Sequence, residues 1–160
     1  MFRPIVILTL IPIVVASGDD FGDLPAIYQG TTMSDFGARH TLPATGRVFL
    51  GALVDSEADG IESDDADGDD LDAMDDEDGI RAVSPWIKGA NGGAVDVTVT
   101  GGAGFLSAWI DWNGNGNIFE PGDQIYDMLP VPAGRSTNTF DIPSSVSISD
   151  GPQRRFTRFR

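Results

Sequence analysis

The stretch "AVDVTVTGGAGFLSAWIDW", Ala94–Trp112, decides the fold. Its first half alternates valine with Asp or Thr, which predicts a strand with one buried and one solvated face. After a Gly-rich turn, the second half carries apolar side chains on both faces. Phe105 and Trp109 lie on one face, and Leu106 and Ile110 lie on the other. A strand that is apolar on both faces is expected in the middle of a sheet.

Further short strand-like segments lie on both sides of this stretch, separated by turns with Gly or Pro. They are "RVFLGALV" (47–54), "QIYDML" (124–129), "TNTFDI" (137–142), "SVSI" (145–148) and "RFTRF" (155–159). No segment after residue 18 has the period of a long amphipathic helix. Short strands at such spacing favour a sandwich or a barrel. We expect an all-β fold, an antiparallel β-sandwich with a jelly-roll-like arrangement, preceded by an irregular acidic, loop-rich segment.

The charge of the chain is concentrated in one place. The formal net charge is −15, and 14 of the 25 acidic residues lie in Asp55–Gly79, which has no Lys or Arg. An acidic surface repels phosphates, so nucleic acid is not an expected partner. Cysteine is absent and histidine occurs once, which excludes disulfides, thiolate metal sites and imidazole-rich metal sites.

The N-terminal residues 1–18 have the features of a secretory signal peptide. Arg3 precedes an apolar segment, and small residues suited to cleavage follow Val15. The segment is too short for an ordinary membrane span. The alternative is a buried strand of an upstream domain. Export predicts an extracellular or cell-surface location, where calcium is abundant.

The loop "DWNGNGNIFEPGD", Asp111–Asp123, has the spacing of a calcium site. Oxygen-bearing side chains at alternate positions can converge on one ion, and a Gly then permits a sharp turn. The pattern matches only the first half of a helix-loop-helix calcium loop, because position twelve is Gly122. The alternative is an Asn-Gly hairpin turn without an ion. The predicted ligands are Asp111, Asn113, Asn115, Asn117, Glu120 and Asp123.

The acidic run Asp55–Gly79 is a second candidate for Ca²⁺. Like charges at this density stay extended unless a cation compensates them, yet the flanking sequence resembles ordered structure. The alternative is a disordered acidic linker. The predicted ligands here are Asp65, Asp67, Asp69, Asp72, Asp75 and Asp76.

Nothing in the sequence predicts an active site. His40 stands without a nucleophile motif, so we expect a structural hydrogen-bonding role. The aromatic set Phe105, Trp109, Trp112 and Phe119 is expected to pack in a core, with a sugar-stacking platform as the alternative. The terminal "QRRFTRFR" (153–160) is expected to be a strand with a solvated face, or to pair with the acidic run.

A family resemblance is carried by four segments of the second half: "LSAWIDWNGNGNIFEPGDQI", "VPAG", "FDIPSSV" and "RFTRFR". They resemble the GEVED domain of bacterial and archaeal surface proteins. Upstream, "DDFGDLPAIYQGT", "DFGARHTL", "LGALVDSEADG" and "DADGDD…DDEDGI" resemble the acidic segment that commonly precedes it. The resemblance covers about residues 19–160. It implies a β-sandwich-like module of large secreted or surface proteins, often beside adhesin repeats or exported proteases.

The N-terminal pattern, the acidic run and the resemblance together divide the chain into residues 1–18 (expected signal peptide), 19–79 (turn-rich acidic segment, expected to bind calcium) and 80–160 (GEVED-like sandwich). The motif that names the family follows the Arg-Phe-Arg strand, and this sequence stops at Arg160. We therefore expect the sandwich to be truncated, incomplete at its C-terminus.

These features predict an exported, non-enzymatic, calcium-stabilised β-module without a transmembrane span, used in adhesion or as a spacer. Its expected partners are neighbouring domains of a larger surface protein, and a glycan or protein ligand. The alternative is an accessory domain of an exported hydrolase or protease that binds carbohydrate.

Overall fold

The chain folds as antiparallel β-structure. A computed structural model describes residues 18–43, 45–54, 56–68, 77–83, 85–146 and 154–160. The helical elements of these residues are two single 3₁₀ turns, Met33–Asp35 and Glu77–Gly79. No helix within the described ranges is long and apolar enough to cross a membrane. The predicted signal peptide lies outside the described residues, apart from Gly18.

In the part of the chain that the structure describes, nine strands form three sheets. The bounds are β1 Gly18–Phe21, β2 Arg39–Leu42, β3 Phe49–Leu50, β4 Ile80–Val83, β5 Gly89–Thr100, β6 Gly104–Ile110, β7 Gln124–Val131, β8 Gly134–Ile142 and β9 Thr157–Phe159. The strands β1 and β2 pair with each other, β3, β4, β5 and β8 form a second sheet, and β7, β6 and β9 form a third. All of these pairings are antiparallel.

The strand β5 organises the four-stranded sheet. One edge pairs with β8 along Ala94–Val99, and the other pairs with β4 and then β3. Its three alternating valines are buried and the residues between them are half-buried. On the outer face Asp96 forms an ion pair with Arg135 and accepts a hydrogen bond from Thr137. The predicted half-buried strand is therefore confirmed.

The strand β6 lies in the middle of the three-stranded sheet, as its two apolar faces predict. It pairs with β7 on one side and with β9 on the other. Beyond β9, Ser107 and Arg160 exchange both backbone hydrogen bonds, at 2.8 and 2.9 Å. The pairing with β7 is irregular on either side of Ala108, which accommodates the turn that follows the strand.

The two larger sheets pack against each other through one apolar core, which confirms the all-β prediction and agrees with a sandwich. Burial of each Val, Leu or Ile side chain in such a core is worth about 1.5–3 kcal/mol. Trp112 extends the core, with its ring edge-on to Trp86 and tilted against Phe140. The core consists of Val95, Val97, Val99, Leu106, Ala108, Ile110, Trp112, Tyr126, Val131, Phe140, Ile142 and Val146.

The N-terminal part of the described chain packs on the opposite face of β6, where Trp109 points. Leu24 and Tyr28 form a second apolar cluster with Ile118, and Trp109 and Phe156 pack against it. The strands β1 and β2 are short and mostly polar, so alternation does not reveal them. The strand β3 also comes from the predicted acidic segment, yet it pairs with β5.

The predicted short strands have three outcomes. The segments at 124–129, 137–142 and 155–159 contain strands β7, β8 and β9. In the segment at 47–54 only Phe49–Leu50 is a strand. The strand predicted at 145–148 is wrong at its start, since Ser145 lies in a turn and Val146 is outside any strand. Residues 147 and 148 lie outside the described residues.

Candidate functional site

The candidate site is the Asp111–Asp123 loop, which joins β6 to β7. The two ends of the loop are held together, because the Ile110 N–H donates to the Asp123 carbonyl at 2.9 Å. The Asp123 N–H in turn donates to the Glu120 carbonyl at 3.1 Å. Between these anchors Ile118 points inward and is buried. The loop is therefore an ordered extension of the sheet.

Asp111 is the centre of the loop, and its side chain is inaccessible to solvent (0% exposed). Its Oδ1 accepts the N–H groups of Gly114 at 2.6 Å and Asn115 at 3.3 Å. Its Oδ2 accepts the Gly116 N–H at 2.9 Å and the Tyr28 hydroxyl at 2.7 Å. Four donors thus fold the loop around one carboxylate, and Asp111 is fully hydrogen-bonded.

Gly114 and Gly116 allow the backbone of the loop to fold around the Asp111 carboxylate. Gly114 and Gly116 have φ angles of 72° and 84°, a conformation that costs other residues free energy. Gly116 is also closely approached, since an added Cβ would lie 2.5 Å from the Ile27 side chain. Burial alone would raise the pKa of Asp111, but the bonds from Tyr28 and the loop N–H groups together hold that pKa below its usual value.

A ladder of asparagine side chains supports the outer part of the loop. The Oδ1 of Asn113 accepts the Asn115 N–H at 3.0 Å, and the Oδ1 of Asn115 accepts the Asn117 N–H at 2.9 Å. The Oδ1 of Asn117 accepts the Phe119 N–H at 3.1 Å. Each bond closes an Asx turn, in which the side chain imitates the backbone of a turn. The alternate spacing of the asparagines therefore has a structural role in the loop.

Glu120 holds the two outer asparagines from the other side. The Asn113 Nδ2 donates to Glu120 Oε2, and the Asn115 Nδ2 donates to Glu120 Oε1, both at 2.9 Å. Each asparagine amide is therefore bonded through both its oxygen and its nitrogen. Five of the six predicted ligands therefore belong to one connected hydrogen-bond network, and the Asp123 side chain stands apart from it.

Asp123 differs from Asp111 in having an unsatisfied oxygen. It is only 4% exposed, and its Oδ2 has no hydrogen-bond partner among the described residues. Burial raises the pKa of Asp123, the Trp112 N–H opposes that rise, and the charges of Asp111 and Glu120 add to it. An ionised carboxylate in this position is unfavourable unless a cation or a proton neutralises it.

The segment Leu24–Thr31 covers the loop, and its key residue is Tyr28. The Tyr28 ring packs against Phe156 with the centroids 5.3 Å apart. Burial and the bond to Asp111 both raise the pKa of the Tyr28 hydroxyl. Sequence reasoning missed this residue, because the 83 positions that separate it from Asp111 leave no periodic signal. A tyrosine in a turn-rich polar segment is the only local hint.

The second candidate, the acidic run, is described only in part. Asp65 forms an ion pair with Arg154, so one arginine of the C-terminal segment does pair with the run. Asp67 accepts a hydrogen bond from the Ser63 hydroxyl at 3.0 Å. The predicted ligands Asp69, Asp72, Asp75 and Asp76 lie outside the described residues. Within the described ranges, no group of three or more acidic or histidine side chains is placed to hold a metal ion.

The remaining candidate residues are dispersed. His40 is an exposed residue of β2, where desolvation by the surrounding chain and the charge of Arg160 lower its pKa, and its structural role stays a prediction. Trp112 lies in the core, as expected. Phe119 is 61% exposed and meets the half-buried Trp109 edge-on at 6.1 Å. Phe105 is also exposed. The four aromatic residues therefore do not share one surface.

These features define an antiparallel β-sandwich with a polar, asparagine-rich loop between two strands. Residues 105–158 match the family model of the GEVED domain, which confirms the predicted resemblance for this part of the chain. The match begins in β6, contains the whole loop, β7 and β8, and ends in β9. No curated protein and no solved structure matches the chain significantly.

Proposed function

We propose that this chain is a non-enzymatic β-module of a secreted or cell-surface protein, used in adhesion or spacing and stabilised by Ca²⁺ at the Asp111–Asp123 loop. The match to the GEVED domain supports a surface or secreted module. The apolar segment near Met1 supports export. Fully paired polar groups in the loop, such as Asp111, suit a structural role better than a catalytic one.

One observation carries the calcium part of the proposal, the unpaired Oδ2 of buried Asp123. Two further carboxylates, those of Asp111 and Glu120, are near enough for their charges to raise the Asp123 pKa. A divalent cation would relieve that repulsion and satisfy the free oxygen. Calcium accepts carboxylates, amide carbonyls and water in a flexible shell of six to eight oxygens. Asp123 offers one free oxygen to this ion, and the other ligands would have to turn towards it, because no three acidic side chains of the described ranges already converge.

In this proposal the predicted ligands have two roles. Asp123 and Glu120 would contribute carboxylate oxygens, and the asparagine Oδ1 atoms retain capacity for a second interaction. Asp111 holds the backbone, because each of its oxygens already accepts two donors. Direct binding by Asp111 would replace its longest bond, the one from the Asn115 N–H at 3.3 Å.

The acidic run remains a second proposed site for calcium. Asp65 and Asp67 are its described members, and both already have polar partners. Binding of an ion by Asp65 would compete with Arg154 for the carboxylate. We therefore expect the Asp111–Asp123 loop to account for most of the thermal stabilisation by calcium that depends on described residues.

The test is thermal unfolding in millimolar calcium and in chelator, for the parent chain and Asp123→Asn. At about a tenfold excess of ion over Kd, one site adds about 1.4 kcal/mol to the free energy of unfolding. For a domain of this size that equals a rise of about 3–6 °C in Tm. Asp123→Asn should abolish this gain while raising Tm in chelator, because it removes a buried unpaired charge.

The matched control is Asp127→Asn, which removes an exposed carboxylate of β7 close in sequence to the site. It should leave the calcium-dependent gain intact. An equal gain in the parent and in Asp123→Asn would exclude the loop as the site. If calcium and chelator give the same Tm for the parent, the calcium part of the proposal is wrong.

A second candidate function, carbohydrate binding beside an exported hydrolase or protease, rests on exposed Phe119 with Trp109 edge-on beside it. Such a corner offers one face to a sugar ring and has polar groups of the loop nearby. A glycan array with the parent and Phe119→Ala tests this function. Saturable binding that is lost in the variant would favour it over adhesion or spacing, and a blank array would count against it.

A further inference from the structure

The loop contains two Asn-Gly pairs, Asn113–Gly114 and Asn115–Gly116, and both asparagines are exposed. In such a pair the Gly nitrogen can lose its proton and attack the carbonyl carbon of the Asn side chain. A C–N bond forms, the C–NH₂ bond breaks and ammonia leaves. A five-membered succinimide ring remains in the chain. Water then opens the ring to aspartate or isoaspartate. Glycine favours this reaction because it has no side chain to obstruct the attack.

The folded loop occupies both nitrogen nucleophiles with a single carboxylate. The Gly114 N–H donates to Asp111 Oδ1 at 2.6 Å, and the Gly116 N–H donates to Asp111 Oδ2 at 2.9 Å. Loss of either proton would place a second negative charge against the Asp111 carboxylate. Adjacent like charges disfavour ionisation, so the reactive form of each nitrogen is suppressed.

The loop also fixes both side-chain amides that would be attacked. The Nδ2 groups of Asn113 and Asn115 are bound to Glu120, one to each carboxylate oxygen. The Oδ1 atoms accept N–H groups two residues further along the chain. Rotation of either amide towards its own glycine nitrogen would break two hydrogen bonds, one of them to a charged acceptor.

We propose that Asn113 and Asn115 are latent deamidation sites, which Asp111 and Glu120 keep unreactive while the loop is folded. Opening the loop releases the glycine nitrogens and the side-chain amides together. The product is either aspartate, which adds a carboxylate beside Glu120, or isoaspartate, which also inserts an extra atom into the backbone. The aspartate product loses the Nδ2 donor to Glu120, and isoaspartate also displaces the Oδ1 acceptor of the ladder. A deamidated loop therefore does not refold to its original form. The proposal does not depend on calcium.

The chain provides its own control in Asn91–Gly92, a third Asn-Gly pair, which lies on β5. The Asn91 N–H donates to Asp141, and its Oδ1 accepts the Thr139 hydroxyl at 2.8 Å. Neither Asp111 nor Glu120 contacts this pair. Its deamidation should therefore be insensitive to changes in the loop.

The experiment measures deamidation of each asparagine by peptide mapping and mass spectrometry, after incubation in chelator at mildly alkaline pH. In the folded parent chain, Asn113 and Asn115 should react roughly tenfold or more slowly than in the same chain unfolded in urea. That factor is the least expected from loss of one hydrogen bond to a charged acceptor. Glu120→Ala and Asp111→Ala should accelerate both sites and leave Asn91 unchanged.

Circular dichroism establishes which variants remain folded. Glu120→Ala decides the outcome if Asp111→Ala does not fold, since the bonds it removes join the Glu120 side chain to two exposed asparagines and leave the backbone bond from Asp123 in place. Equal rates at Asn113 and Asn115 in the folded and unfolded parent would overturn the proposal. Unchanged rates in folded Glu120→Ala, or an equal acceleration at Asn91, would overturn it as well.

Discussion

Removal of a single oxygen, by Tyr28→Phe, should destabilise the protein measurably. The Tyr28 hydroxyl is buried and donates to a buried carboxylate at 2.7 Å. A hydrogen bond to a charged group contributes about 1.5–3 kcal/mol to stability. Phenylalanine keeps the ring contact with Phe156 and fills nearly the same volume. The loss should therefore reflect the hydrogen bond, with little contribution from a cavity.

For a domain of this size, 1 kcal/mol corresponds to about 2–4 °C in Tm. Tyr28→Phe should therefore lower Tm by about 3–12 °C, as measured by circular dichroism during heating. Asp111→Asn and the double variant complete a thermodynamic cycle. The interaction energy of two residues in direct contact is about 0.5–3 kcal/mol, so the two effects should not be additive.

The matched control is Tyr126→Phe, which removes the same atom from a different buried tyrosine. The Tyr126 hydroxyl has no hydrogen-bond partner among the described residues, and burial raises its pKa to about 12. Its removal should be neutral or stabilising, because an unsatisfied buried polar group costs about 1–3 kcal/mol. If both variants lower Tm equally, or if Tyr28→Phe has no effect, the assigned bond to Asp111 does not stabilise the fold.

Two further predictions concern pH and backbone strain. In chelator, unfolding at successive pH values should show opposite effects of two carboxylates. The pKa of Asp111 is lowered by folding, so its stabilisation is present above about pH 4 and is lost as pH falls through the folded value. The pKa of Asp123 is raised by folding, so its contribution to the free energy of unfolding is favourable below about pH 4 and is lost as pH rises through the pKa of the folded state. Asp123→Asn should remove that loss. Separately, Phe36 is 95% exposed with a φ of 63°. Phe36→Gly should raise the free energy of unfolding in urea by about 1 kcal/mol, and a decrease would show that this conformation carries no strain.

Much of the sandwich follows from short-range pattern. The valines of β5 alternate because one face meets the opposite sheet. The strand β6 is apolar on both faces because one face packs in the main core and the other carries Trp109 against the second apolar cluster. Asp111 was identified because oxygen side chains at alternate positions precede a glycine. Such local patterns state which face is buried and which loop turns sharply, and the structure confirms both. That Asp111 is a calcium ligand stays a prediction.

Long-range contacts account for what the sequence did not predict. Tyr28 reaches Asp111 across 83 positions, and no spacing rule connects a turn-rich segment with a loop of another sheet. The strands β1 and β2 are polar and four residues long, so pairing rather than alternation defines them. The difference between Asp111 and Asp123 is also invisible in sequence, because it depends on how many donors reach each carboxylate.

The difference in hydrogen bonding between Asp111 and Asp123 determines what each carboxylate does in the loop. Asp111 and Asp123 are both buried, yet Asp111 accepts four hydrogen bonds and Asp123 retains an unpaired oxygen. The first carboxylate is stabilised by folding and therefore organises the loop. The second is destabilised by folding and would therefore supply the driving force for binding the proposed cation. Tyr28 is bonded to Asp111. The segment Leu24–Thr31 that covers the loop and the site that would bind the ion therefore both depend on the Asp111 side chain. Ion binding and docking of the N-terminal segment should consequently reinforce each other, since each favours the ordered form of Asp111.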